Sequence, residues 1–306
     1  MLAAFLMLSL SQEPIVKGVI VDDKYVVTID GEPFATVNYK DVARPFIYPL
    51  YAPGGVQILR NFPMVEGVEG EEKDHPHHTG VWFAHGDISG SDTWLSKGKI
   101  EMIGSPQSSG KSVLLEGNLL REDGSLVGRC DQRYTFRVLS DGSRAIDFWI
   151  HLVPQKGTAL KFGDTKEGTF GFRTHPNLRL ERSDGGPTGH VLNSEGVSDK
   201  SVWGKRAKWI DYWGVVDGKT IGIALMDNPV NPRFPTWWHA REYGLVAANP
   251  FGVSYFESKP AGTGEMELKL DEPVMFKYRI VLHKGSAQDA KIGELYRNWA
   301  NGEQDD

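Results

Sequence analysis

Cysteine is nearly absent. Cys130 is the single one in 306 residues, which excludes an internal disulfide and any metal site built from several thiolates. It lies in a strand-like run, where a small half-buried residue is the expected reading. Positive charge is in deficit as well, since 34 Lys and Arg face 40 Asp and Glu for a net charge of −6. That balance argues against a general phosphate-binding surface, so nucleic acid is not an expected partner. Long apolar runs are missing. The stretch Leu2–Leu10 is too short to span a bilayer, and no other segment approaches that length, so no membrane-embedded part is expected. Also absent are a βαβ alternation, a Gly-rich phosphate loop and short tandem repeats.

The apolar start suits a different purpose. Ser9 and Ser11 are the small residues expected at the first and third positions before signal-peptidase cleavage, which predicts a leader over 1–11 and export to the periplasm or beyond. The positively charged beginning of such a leader is missing, and without cleavage the compartment is cytoplasmic. The remaining composition, 40% hydrophobic and 24% charged, is that of a soluble globular protein able to bury a sizeable core. With 35 Gly, 17 Pro and nine Trp, it suits a turn-rich β protein.

Period-two patterning dominates. Tyr25–Ile29 and Phe34–Tyr39 flank Asp30-Gly31, the strongest local hairpin signal because the tight turn needs positive φ. Asp123-Gly124, Asp141-Gly142 and Asp217-Gly218 repeat the device between Ser112–Arg121, Arg129–Leu139, Arg144–Val153, Lys205–Val216 and Thr220–Met226. In Arg144–Val153, Ile146, Phe148, Ile150 and Leu152 share one face and Asp147, Trp149 and His151 the other. Repeated hairpins predict an all-β fold, a large antiparallel sandwich over 12–285. One helix is predicted, over 286–301. Ser286 and Asp289 form a capping box, and Ile292, Leu295, Tyr296 and Trp299 make its apolar stripe. Two irregular stretches, Asn61–Lys73 and Asp227–Glu242, are too long for idle connections, and Phe234, Trp237 and Trp238 are costly to leave in water.

The stretch Asp74–Trp94 concentrates the chemistry. It holds four of the nine histidines (His75, His77, His78 and His85), the acids Asp74, Asp87 and Asp92, and Trp82 and Trp94. Val81–Ala84 reads as a buried strand delivering His85 and Asp87 together. Imidazole and carboxylate suit a metal, and its ligands would be His75, His77, His85 and Asp87. The spacing matches no metalloprotease motif, so the preferred reading needs no metal or other cofactor and treats the histidines as proton carriers or hydrogen-bonding groups.

Three further constellations point to a polar ligand. In Gly163–Gly168, Lys166 and Glu167 stand at the head of a strand that leads to Arg173 and His175, and Glu167 suits an acid or base. In Trp203–Trp213, Lys205, Arg206 and Trp209 combine cations with indoles. Aromatic faces stack on pyranose C–H faces while Lys and Arg bond the hydroxyls, so sugar fits better than nucleic acid. In Asp227–Glu242, Arg233, Trp237, His239 and Arg241 share a face if the chain is extended, with His239 the candidate for chemistry. Asn249 lies in a loop that closes the same region.

Several motifs, among them Tyr48–Arg60 with its terminal Arg60, Asp74-His-Pro-His-His, Trp82-Phe-Ala-His-Gly-Asp, Gly163-Asp-Thr-Lys-Glu-Gly and Asn231-Pro-Arg, resemble those of the PmoA family. The resemblance covers nearly the whole chain after the leader. It implies a soluble, often exported bacterial protein. The inherited family name, methane oxygenase, refers to a membrane copper subunit whose transmembrane helices this chain lacks. A weaker similarity is to the aldose 1-epimerase (galactose mutarotase) supersandwich, whose enzymes use two histidines and a glutamate to open and close a sugar ring. It implies comparable parts for Asp74-His-Pro-His-His, Arg173-Thr-His-Pro and Glu167, with Glu257 as the late alternative.

The expectation is therefore acid/base chemistry on a carbohydrate by an epimerase, lyase or hydrolase. His77 or His85 donates a proton, and Glu167 or His239 removes one. Arg60, His75, Asp87, Asp92, Trp94 and Lys166 join Arg173, Lys205, Arg206, Trp209, Arg233, Trp237, Arg241 and Asn249 as substrate contacts. Retaining hydrolysis needs two carboxylates about 5 Å apart, for which Glu167, Asp87 and Asp92 are available. The alternatives are a non-catalytic carbohydrate-binding module and a metal-dependent enzyme on the histidine cluster.

Overall fold

Each Asp-Gly pair closes a hairpin. Asp30-Gly31 and Asp217-Gly218 take positive φ at both positions (53° and 86°, 50° and 73°), the geometry whose twist matches that of the flanking strands. A computed structural model describes residues 13–303, so the predicted leader lies outside the described residues. Two antiparallel sheets result. The first runs Val16–Val21, Lys24–Ile29, Glu32–Asn38, Phe46–Ala52, Val81–His85, Gly168–Arg173, Leu245–Asn249 and Trp237–Ala240 in spatial order, with Val56–Gln57 beside Phe46–Ala52. The second runs His190–Asn193, Trp209–Val216, Lys219–Asp227, Val274–Lys284, Arg144–Pro154, Leu126–Val138, Gly117–Leu120 and Lys99–Met102.

The core lies between them. Phe83 of the first sheet meets Phe276 of the second at 5.7 Å between ring centroids, and Phe170 meets Phe148 at 4.6 Å and Tyr278 at 4.8 Å. The expected alternation of Arg144–Val153 holds: Ile146, Phe148, Ile150 and Leu152 are buried while Asp147, Trp149 and His151 are only half-buried. Val81–His85, Gly168–Arg173 and Leu245–Asn249 are buried on both faces. Their outer face is therefore covered by connections, and those connections carry the polar groups described below.

Some boundaries differ from expectation. The run Ser112–Arg121 divides into Ser112–Leu115 and Gly117–Leu120, and the run from Lys205 becomes strand only at Trp209. Within the irregular stretch Asp227–Glu242, Trp237–Ala240 forms an edge strand. Ser286 and Asp289 make the reciprocal hydrogen bonds of a capping box, but they close a turn. Lys291 then takes φ of 49°, and the helix runs only from Ile292 to Ala300. Ile292 and Tyr296 pack on Trp209, Ala224 and Met226 on the outer face of the second sheet. No described helix is long and apolar enough to cross a membrane.

Candidate functional site

The outer face of the first sheet carries the chemistry, and its pattern begins with small residues. Cross-strand pairing lines up Trp82, Gly171, Ala247 and His239 on four adjacent strands. Strands lie about 4.8 Å apart, so Trp82 and His239 stand roughly 14 Å from one another. Gly171 and Ala247 between them leave a low floor. A Cβ on Gly171 would come within 2.4 Å of the Val246 carbonyl oxygen, so this position cannot carry a side chain.

One wall is a column of rings. Tyr243 and His75 stack at 5.6 Å, His75 and His78 at 4.8 Å, and His78 and Trp82 at 5.2 Å, with interplanar angles of 12°, 4° and 17°. His77 meets His78 edge-on at 4.5 Å. Asp74 anchors the column. It accepts hydrogen bonds from Arg60 at 2.5 Å and Arg173 at 3.1 Å, and its other oxygen lies 2.6 Å from His75 Nδ1. Arg173 sits over Tyr243 at 4.6 Å. Buried Arg44 donates to the carbonyl oxygens of His77 and Thr93 and so holds the loop down.

The opposite wall is His239 with Trp203 and Phe256, whose rings lie 6.5 and 6.1 Å away. Arg241 bridges the walls at one end, 6.0 Å from the Trp203 ring and 5.8 Å from the Tyr243 ring. At the other end stands Glu167, which accepts from Lys166 and from the Thr165 hydroxyl, both at 2.5 Å. Burial works against this carboxylate, yet Lys166 and the Thr165 hydroxyl together hold it below the usual glutamate range. Burial pushes His239 down to about 3, opposed by the charge of Glu167. Burial, reinforced by Arg44, pushes His77 down to about 4. Near neutral pH the face therefore presents an ionised Glu167 with uncharged His239 and His77.

Several buried polar atoms here have no protein hydrogen-bond partner: Trp82 Nε1, Thr169 Oγ1, Trp203 Nε1, His78 Nε2, Arg241 Nε and His239 Nδ1. Each such group costs about 1–3 kcal/mol if left unsatisfied. Their concentration on one face is what a hydroxyl-rich ligand would satisfy.

The expected site residues divide. Glu167, Lys166, His239, Arg241, His75, Arg173 and Arg60 gather on this face, with Arg60 and Arg173 serving Asp74. His77 joins the ring column, edge-on to His75 at 5.7 Å and to His78. Trp94 is buried against His78 and Trp82. Asn249 pairs across strands with Trp237 and braces the Thr165 carbonyl oxygen at 2.8 Å. Trp237 is covered by Arg206 at 4.3 Å, and Arg206 is itself held by the Pro235 and Arg233 carbonyl oxygens.

The rest lie elsewhere. His85 points into the space between the sheets, fully buried, with Nε2 2.8 Å from the Gly163 carbonyl oxygen and its ring against Phe251. Its strand alternates inward from Trp82 and Ala84, which parts it from the outer face. Asp87 and Asp92 accept backbone N–H bonds from Gly90 and Leu95 in turns. Trp209 lies under the C-terminal helix. Arg233 braces the Pro250, Gly264 and Glu265 carbonyl oxygens, and the Lys205 side chain is exposed.

His75, His77, His85 and Asp87 therefore do not converge, and no three His, Cys, Asp or Glu among the described residues form a metal-ligating group. Cys130 is buried, and burial pushes its thiol well up. Thr169 was not expected on this face, and it had one readable signal. Thr169-Phe170-Gly171-Phe172 alternates small with large, which marks a strand packed tightly on one side only.

No curated protein matches the sequence. Among solved structures, a GalM/aldose epimerase homologue from C. elegans superposes with a TM-score of 0.35 at 9% identity, covering 89% of this chain and 100% of that one. A putative aldose 1-epimerase from Escherichia coli K12 gives 0.33 at 11% identity, covering 89% and 100%. A polysaccharide lyase gives 0.32 at 10% identity, covering 90% of this chain and 33% of its own. Likenesses this distant transfer neither residues nor a reaction. A family model described as a family of unknown function (DUF6807) matches residues 24–297, and the chain belongs to that family.

Proposed function

We propose that the outer face of the first sheet binds a carbohydrate and that Glu167 removes a proton from it, as an epimerase or lyase requires. The observation carrying this reading is the set of unpartnered buried polar atoms around a Gly171–Ala247 floor, beside an ionised carboxylate. A pyranose over that floor would offer a C–H face to half-buried Trp203, since Trp82 is covered by His78 and Trp94, and hydroxyls to Thr169 Oγ1, His239 Nδ1 and the Trp203 N–H. Glu167 then takes a proton from a hydroxyl or an activated C–H. Neutral His239, within the influence of Glu167, accepts a hydrogen bond that orients the reacting hydroxyl. Hydrolysis by a carboxylate pair is less well supported, because Asp87 and Asp92 are occupied in turns and Asp74 is held by two arginines. The motif resemblance to the PmoA proteins sits with this reading and adds no reaction to it.

The test is a panel of aldoses, uronic acids and their oligomers, with binding measured by calorimetry and turnover by NMR. Glu167→Gln is expected to lower turnover about 100-fold with affinity largely kept. His239→Ala is expected to weaken binding about tenfold. Unchanged affinity and turnover in both variants, for a sugar the protein demonstrably binds, would sink the proposal. A second reading, recognition without turnover, draws on the ion pairing of Glu167 with Lys166 and the uncharged state of His239. Binding of a sugar that Glu167→Gln weakens, with no reaction in either protein, would favour it.

A further inference from the structure

The second sheet carries a groove on its own outer face. Cross-strand pairing sets Arg133, Trp149 and Lys277 side by side on three adjacent strands, with Thr135, Asp147 and Arg279 as the next rung. The hollow over these rungs holds about 190 Å³ and is closed on one side by Trp299. It continues both ways. A hollow of about 720 Å³, reaching Lys111, Arg137 and Asn228, shares Asp147, Lys277 and Trp299 with it. A third of about 400 Å³, reaching Gln107 and Ser112, shares Arg133 and Thr135. Three hollows joined through common residues make one trough across the sheet.

Among the described residues its charge is one-sided: Lys111, Arg133, Arg137, Lys277 and Arg279 line it against two acids, Asp147 and Glu303. Asp147 is already engaged, accepting from Arg137 at 2.8 Å and from Arg279 at 2.6 Å. Among the described residues no carboxylate pairs with Lys111, Arg133 or Lys277. Two half-buried indoles lie along the trough, each with a guanidinium 5.5 Å from the ring centroid, Arg133 at Trp149 and Arg279 at Trp299.

We propose that this trough is a second carbohydrate-binding surface that takes an acidic polysaccharide, a chain of uronate rings. Indoles on a flat sheet stack on successive pyranose faces. The unpaired cations meet one carboxylate per ring, and Thr135, Ser112 and Gln107 bond hydroxyls. A trough open at both ends accepts a chain rather than a single sugar. On a protein of net charge −6, one carboxylate per ring is opposed less strongly than the denser phosphates of a nucleic acid. The surface lies on the other sheet from Glu167 and His239 and does not depend on their chemistry.

The test uses the full chain with an oligogalacturonate, a neutral cello-oligosaccharide of equal length and poly(dT), each titrated at low and high salt. The expected result is oligogalacturonate binding that weakens with salt and exceeds binding of the other two. Trp149→Ala and, separately, the double change Arg133→Glu with Lys277→Glu are expected to raise Kd at least tenfold. All variants should keep the wild-type circular dichroism, since these side chains are only partly buried. His239→Ala, which is expected to weaken binding at the other face, should leave this Kd unchanged. The proposal is overturned if oligogalacturonate does not bind, if the groove variants bind it as well as wild type does, or if the neutral oligomer or poly(dT) binds as tightly. A tenfold loss in His239→Ala would place the polymer on the other sheet and overturn it as well.

Discussion

At the scale of single residues, Asp74 has more consequence than any histidine it supports. Its carboxylate neutralises Arg60 and Arg173, which are 3% and 1% exposed. Burial alone would raise its pKa; Arg173, His75 and Arg60 bring it below the usual range. Removing one member of such a cluster leaves the others charged and buried. Asp74→Ala is therefore expected to cost about 3 kcal/mol of unfolding free energy, read from urea denaturation, and to release the His75–His78 column from Trp82. A change under 0.5 kcal/mol would show that the two guanidinium groups are solvated after all. Residue identities were only partly legible. The sequence marks Asp74–Trp94 as unusual, yet it cannot tell His85 from His239. Each lies in a buried strand, and which of two faces it takes depends on pairing with strands distant in the chain.

Elements read more clearly where the signal is local. The Asp-Gly hairpins and the alternation of Arg144–Val153 follow from positive φ and period-two burial, which need no knowledge of distant residues. The start of the last helix does not. Ser286 and Asp289 satisfy the capping pattern, but Lys291 turns left-handed before Ile292 reaches the sheet, so packing sets the boundary. That helix gives a test of independence between the two outer faces. Ile292 is fully buried against the second sheet, and Ile292→Ala should cost about 2–4 kcal/mol through lost burial and a residual cavity. Sugar affinity at the Glu167 face should stay within twofold, because the sandwich core lies between. A loss of affinity matching the loss of stability would mean that the two faces are coupled.

For the whole molecule, strand order was beyond the sequence: Val81–His85 pairs with Gly168–Arg173, and nothing local in either announces the other. The assembled consequence is a fold that keeps histidines neutral. Burial pushes His85 and His77 down to about 4 and His239 to about 3, and lowers His78 as well. Unfolded histidine titrates near 6.5. As pH falls from about 6.5 towards about 4, the unfolded chain takes up protons that the folded chain refuses, and stability drops. Two groups act otherwise. Burial raises Asp227 to about 7, so between about 4 and 7 the folded state holds a proton that the unfolded state has lost, which favours folding on acidification. Burial lowers His283, but Asp211 at 2.9 Å outweighs it and the net shift is upward. Its stabilisation is complete below about 6.5 and is lost only as pH rises through its folded value. His175 is lowered by burial too, so five histidines against one aspartic acid leave a net uptake of roughly three to four protons on unfolding near pH 5. The slope of unfolding free energy against pH measures it directly. Asp227→Asn should steepen that slope by about one proton and His239→Ala should flatten it by about one. Stability that stays level between pH 6.5 and 4.5 would mean that these imidazoles are hydrated, and it would remove the grounds for treating His239 as a neutral partner of Glu167.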